Sequence, residues 1–171
     1  MNKRGQAAME FLMTYGWAIV VVLAAIGALA YFGVLSPQKL LPDRTTFTAP
    51  LPNVDNAVVS TATNSVQIAF RNNKGVSISL PLTATVSGST ECQSITSMSG
   101  TFTNSSNQQE AILAGTTQIA NGQGFLLTFT CAANPNAAIG NKFKADFSFP
   151  YTNVETGQSL SQTGSVEGKY S

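Results

Sequence analysis

Twenty-five consecutive residues, Phe11 to Leu35, carry no charge. A helix over them is about 37 Å long at ~1.5 Å per residue, enough to cross a hydrocarbon core of about 30 Å with some tilt. Val20, Val21, Val22 and Leu23 are consecutive, so large apolar side chains fall on every side. An amphipathic surface helix would show a stripe instead. Sixteen of the 25 are Val, Ile, Leu, Met, Phe, Tyr or Trp. At roughly 2 kcal/mol each, exposing them to water costs on the order of 30 kcal/mol. That exceeds the ~5–15 kcal/mol stability of a whole domain. The helix is therefore expected in lipid or inside a bundle of other helices. Pro37 disfavours helical backbone at Ser36 and marks the stop. A cleaved secretory signal has a shorter apolar core and a small-residue cleavage site after it, and this run has neither. Lys3 and Arg4 favour a cytoplasmic N-terminus, an asymmetry diluted by Lys39 and Arg44 at the other end.

Beyond the run, residues 36–44 (SPQKLLPDR) carry two prolines and three charges and read as a linker. Residues 45–171 hold 54 Ser, Thr, Asn and Gln but only 11 charges. Such a composition suits a disordered chain as well as a folded one, and periodicity decides between them. Val76, Ile78, Leu80, Leu82, Ala84 and Val86 alternate with small polar residues and Pro81. That is the period of a half-buried strand, with an edge or a break expected at the proline. Val66, Ile68 and Phe70 alternate likewise, as do Phe125, Leu127, Phe129 and Cys131. Phe143, Ala145, Phe147, Phe149 and Tyr151 form a further set, which Pro150 is expected to interrupt. Asn72-Asn73-Lys74-Gly75 reads as a turn, and residues 97–110 (SMSGTFTNSSNQQE) as a solvated loop. No internal repeat is present. The expected fold is α+β: a long apolar helix, then an all-β head of the Ig-like β-sandwich kind.

Composition narrows the chemistry. There is no histidine, which removes the commonest general base and the commonest zinc ligand. A net charge of +1 offers no electrostatic footprint for nucleic acid. Asp55, Glu91, Glu110, Asp146, Glu155 and Glu167 are scattered without acid/base spacing, and no phosphate-binding loop motif occurs. Catalytic residues, metal ligands and cofactors are therefore not expected. Cys131 shares the phase of three inward residues, and Cys92 is its only available partner. A disulfide is expected for an extracytoplasmic head; two buried thiols are the alternative. Asn104-Ser105-Ser106 is the only glycosylation sequon and falls in the expected loop. Tyr15 and Trp17 suit a membrane interface, while Gly16, Gly27, Ala24 and Ala28 permit close helix approach.

The stretch Lys3-Arg4-Gly5-Gln6-Ala7-Ala8-Met9-Glu10, running into the apolar helix, poses a question. A carboxylate at the mouth of a membrane helix gains from the helix dipole, which is one account of Glu10. The whole stretch, however, closely resembles the class III signal peptide of archaeal type IV pilin-like proteins. Ala8 and Thr14 stand where that pattern often has Ser and Leu. The resemblance implies cleavage between Gly5 and Gln6, so that residues 1–5 are a leader and residues 6–35 a transmembrane and filament-core helix. It implies a head that coats a helical filament of identical subunits at the cell surface. It also implies a prepilin peptidase, an assembly ATPase and its membrane platform as partners, with the precursor in the cytoplasmic membrane. Cleavage would free an α-amine at Gln6, which Glu10 could pair with on its own chain or a neighbour's. The other expectation the sequence supports is a membrane-anchored surface binding module that never polymerises.

Overall fold

A computed structural model describes residues 3–32, 42–132, 134 and 137–171, with side chains for 9–11 and 13–32 in the first span. The start of the expected leader and residues 36–41 of the expected linker lie outside the described residues. The chain divides into two compact units, residues 1–41 and 42–171.

The first unit holds α1 (Lys3–Tyr31), 29 residues that begin in the basic stretch and include the backbone of Gly5 and Gln6. In the second unit the described residues form, in chain order, β1 (Arg44–Phe47), β2 (Val58–Ser60), β3 (Ser65–Arg71), β4 (Ile78–Ser79), β5 (Thr85–Ser87), β6 (Ile95–Thr103), β7 (Gln109–Ala111), β8 (Gln118–Ile119), β9 (Gly124–Cys131), β10 (Lys142–Asn153) and β11 (Ser159–Lys169). They make two antiparallel sheets. One has the order β1-β11-β10-β4-β8, with β5 also on β10; the other has the order β2-β3-β9-β6-β7.

Period-two patterning aims one face of each sheet at a shared core. In β10, Phe143, Ala145, Phe147, Phe149 and Tyr151 are buried while Lys144 and Asp146 point out. In β9, Phe125, Leu127, Phe129 and Cys131 are buried likewise. The two faces meet through aromatic rings. Phe129 of β9 lies 4.9 Å from Phe147, and Phe70 of β3 lies 4.9 Å from Phe47 and 5.3 Å from Phe149. Such centroid spacings are the favourable ones for aromatic pairs. Cys92 and Cys131 form a disulfide across a sequence separation of 39, with both cysteines buried.

The break expected at Pro81 is present, and two other expectations from periodicity change in the fold. The alternating run from Val76 to Val86 is two strands, β4 and β5, each paired to β10. The five residues between Ser79 and Thr85 oppose the three between Ser148 and Thr152, so the run carries a two-residue bulge. Leu82 takes up the excess at φ 56°, and an even insertion keeps both halves facing the core. Pro150 does not interrupt β10, which continues to Asn153 and pairs Pro150 with Ser161 of β11. Pro150 lies opposite the bulge that contains Pro81, so two residues without an N–H share one gap in the ladder. Finally, residues 97–110 are not a loop throughout. β6 and β7 form a hairpin there, and only 104–108 is the turn. Gly100 takes the core-facing place between Met98 and Phe102, because a Cβ there would crowd Ile112 and Leu127.

The β1 and β2 edges are occupied from within the chain. Asn53 Oδ1 accepts from the Phe47 amide (2.9 Å) and Asn56 Oδ1 from the Thr45 amide (3.2 Å), along the free side of β1. Ser171 donates its amide to the Val59 carbonyl (2.8 Å) and accepts from the Thr61 amide (3.2 Å), beside β2. Edge groups engaged in this way no longer recruit a foreign strand.

Candidate functional site

The feature the core does not explain is α1. Lys3, Arg4 and Glu10 are its only charges, all in its first eight residues. From Phe11 onward the described side chains are apolar around the whole circumference, and nearly all are exposed: Phe11 is 62% and Trp17 68% accessible. Met13–Tyr31, 19 residues, is long and apolar enough to cross a membrane. A membrane anchor and a signal sequence both fit that description.

Local geometry stiffens the entrance to this segment. Thr14 donates its hydroxyl to the Glu10 carbonyl (2.8 Å), the back-bond a Thr makes one turn down a helix. That bond satisfies the hydroxyl within the helix itself. The Phe11 and Tyr15 rings meet at 4.7 Å, tilted by 38°, one turn apart on the same face. Tyr31 and Phe32 make a second aromatic pair (5.6 Å) at the far end. Aromatic side chains at both ends of an apolar helix match the two interfaces of a bilayer. Glu10 is exposed, with its carboxylate at the boundary of the charge-free run. A Cβ added at Gly16 or Gly27 would meet nothing, so these glycines leave two open notches on the helix surface. The side chain of Gln6 lies outside the described residues.

The other sequence-predicted residues stand apart from α1, in the head. Cys92 and Cys131 are bonded to each other and buried, so they serve the core rather than a surface. Asn104 is half-buried in the β6–β7 turn, which its side chain organises. Its Oδ1 accepts from the Ser106 and Gln108 amides, both at 2.9 Å, and its Nδ2 donates to Glu110 Oε1 at 2.6 Å. The nitrogen that would carry a glycan thus already makes one charge-assisted bond. Among the described residues no three acidic or sulfur side chains converge as metal ligands would. No protein-family model matches the chain, and no curated protein matches it either.

Sequence reasoning missed one organising residue. Asn72, in the expected turn, is fully buried. Its Nδ2 donates to the Val76 and Ile119 carbonyls, each at 2.9 Å, and its Oδ1 accepts from the Lys74 amide at 3.0 Å. It ties the end of β3 to β8. The only signal was an Asn immediately after a strand, the usual place for a side-chain-stabilised turn.

Proposed function

We propose that this chain is the structural subunit of an archaeal type IV-like surface filament, acting in adhesion and catalysing nothing. A membrane peptidase cuts between Gly5 and Gln6. Residues 6–35 first anchor the subunit and then leave lipid for the core of a helical filament, driven by an assembly ATPase on its membrane platform. The head, Ig-like in plan, coats the outside. Glu10 pairs with a Gln6 α-amine and fixes the register between neighbouring helices.

The observation that carries this reading is an apolar helix exposed on every side, entered through a basic stretch and a single carboxylate, beside a head with a complete core of its own. A helix so constituted needs an apolar environment around it. The deciding experiment is mass spectrometry of the N-terminus of native protein sheared from cells. A chain that begins at Gln6 and sediments as fibres is the expected result. A chain that keeps Met1 and stays in membranes would replace the filament with a non-polymerising surface binding module. Glu10→Ala should lower fibre yield and leave membrane anchoring intact; normal fibres from that variant would remove Glu10 from assembly.

A further inference from the structure

The outward face of the first sheet is graded in charge along its strands. At the end where β11 finishes, Lys142 stands opposite Lys169. The next row is Arg44, Glu167 and Lys144, with Lys144 Nζ 2.7 Å from Glu167 Oε1. The third row is Thr46, Ser165, Asp146 and Ser87. Residues 42–171 hold six Lys and Arg against seven Asp and Glu, yet four of the six cations gather at this one end. Glu167 lies within this end, Asp146 stands one row on and also acts on Lys144, Asp43 precedes β1 in sequence, and Glu91 is half-buried beside Phe143 and Tyr170. An anionic surface is complementary to this end of the sheet.

Chain connectivity names the surface. Arg44 opens the strand through which the chain enters the head, and residues 32–43 are all that join it to Tyr31 of α1. Fully extended, that connection spans about 40 Å. With α1 in a bilayer, the basic end of the sheet is tethered within reach of the headgroups. A tether converts a weak attraction into an intramolecular one, so a few cations suffice. We infer that, before assembly, the Arg44–Lys142–Lys144–Lys169 end of the head docks on the anionic headgroups of the membrane that holds α1. The inference rests on the anchoring part of the proposed function and not on polymerisation. Docking holds the head down until extraction of the helix pulls it free.

The test uses the full chain reconstituted in vesicles of phosphatidylcholine, alone or mixed with phosphatidylglycerol. Flotation reports anchoring, and the rate of lysine acetylation, read by mass spectrometry, reports docking. Lys74, in the segment between β3 and β4, is the internal control. Anionic lipid should slow labelling of Lys142 and Lys144 by about threefold or more and leave Lys74 unchanged, and roughly 0.5 M salt should restore it. In an Arg44→Gln, Lys142→Gln chain the effect on Lys144 should fall by at least half. A chain that floats but labels equally in both lipids overturns the docking alone. A chain that does not float with either lipid overturns the anchor and the docking together. Protection that grows with protein density at constant lipid composition replaces the lipid with a second copy of the chain.

Discussion

Phenylalanine meets opposite fates in the two units. Phe11 and Phe32 of the helical unit are 62% and 75% exposed. Phe47, Phe70, Phe125, Phe129, Phe143, Phe147 and Phe149 of the head are all buried, most of them against one another. The head spends its apolar surface internally, on a core completed by a disulfide and by side-chain caps on its edges. The helix keeps its apolar surface for something else. The hydrophobic effect is non-directional, so it does not choose between lipid and a bundle of like helices. Either burial would satisfy α1.

Charges in the middle of α1 should break the comparison most severely. Val20→Lys with Leu23→Lys costs roughly 5–7 kcal/mol of insertion free energy. The double variant should fail to float with vesicles while the thermal transition of the head stays in place; continued flotation would show that lipid burial is not what holds the chain. The converse change is Gly164→Val. Gly164 lies in β11 between Phe47 of β1 and Phe147 of β10, and a Cβ there runs into the Phe47 ring and the Thr46 backbone. Backbone cannot step aside as a side-chain tip can, so we expect a loss of about 3 kcal/mol or more from head stability. Urea unfolding checks this, and anchoring should not change.

Two smaller losses sharpen the picture of the head. Cys92→Ser with Cys131→Ser should cost about 2–4 kcal/mol by freeing the closed loop in the unfolded chain. A melting temperature equal to the parent's would mean the core holds the two segments without the bond. Asn72→Ala leaves the Val76 and Ile119 carbonyls without their buried donor and should cost about 2 kcal/mol. Hydrogen exchange should localise that loss to the β3–β4 connection and β8, and uniform exchange across the head would argue against a local tie.

What was legible in the sequence follows from which side chains carry the pattern. β3, β9 and β10 announced themselves because large apolar residues occupy every inward position. β6 did not, because Gly100 holds an inward position and the outward ones are Ser and Thr, the composition of a loop. Pro81 and Pro150 each signalled a break, but only pairing reveals that they share one. The edge caps at Asn53, Asn56 and Ser171 are hydrogen bonds from individual residues outside the strands, the last of them 112 residues from its partner, and have no periodic signature. The apolar part of α1 was readable from the absence of charge, whereas its start at Lys3, ahead of the expected Gln6, was not; the phase of Cys131 pointed to its bond with Cys92. The basic end of the first sheet was invisible, because Arg44 and Lys142–Lys169 come together only through the registers of β1, β10 and β11.

The Lys144–Glu167 pair should contribute least to stability, and its pH dependence shows why it matters elsewhere. The Lys144 hydrogen bond and charge, helped by Lys142 and Arg44, hold the Glu167 carboxyl below the usual carboxylate range. Glu167 in turn holds the Lys144 ammonium above the usual lysine range. A lowered carboxyl pKa stabilises the fold above the unfolded-state value and stops doing so as pH falls through the folded one. A raised ammonium pKa stabilises below its unfolded-state value and stops as pH rises through the folded one. The pair is therefore intact through neutral pH and fails only in acid or in strong base. Both groups are exposed, so solvent and salt screen the attraction. Lys144→Gln should move the neutral-pH melting temperature less than any change above, and the difference should vanish in acid. A shift as large as that of Asn72→Ala would make the ladder a structural strut. If the shift is small, Lys144 can exchange Glu167 for an anionic headgroup with little loss to the fold, as the docking we infer requires.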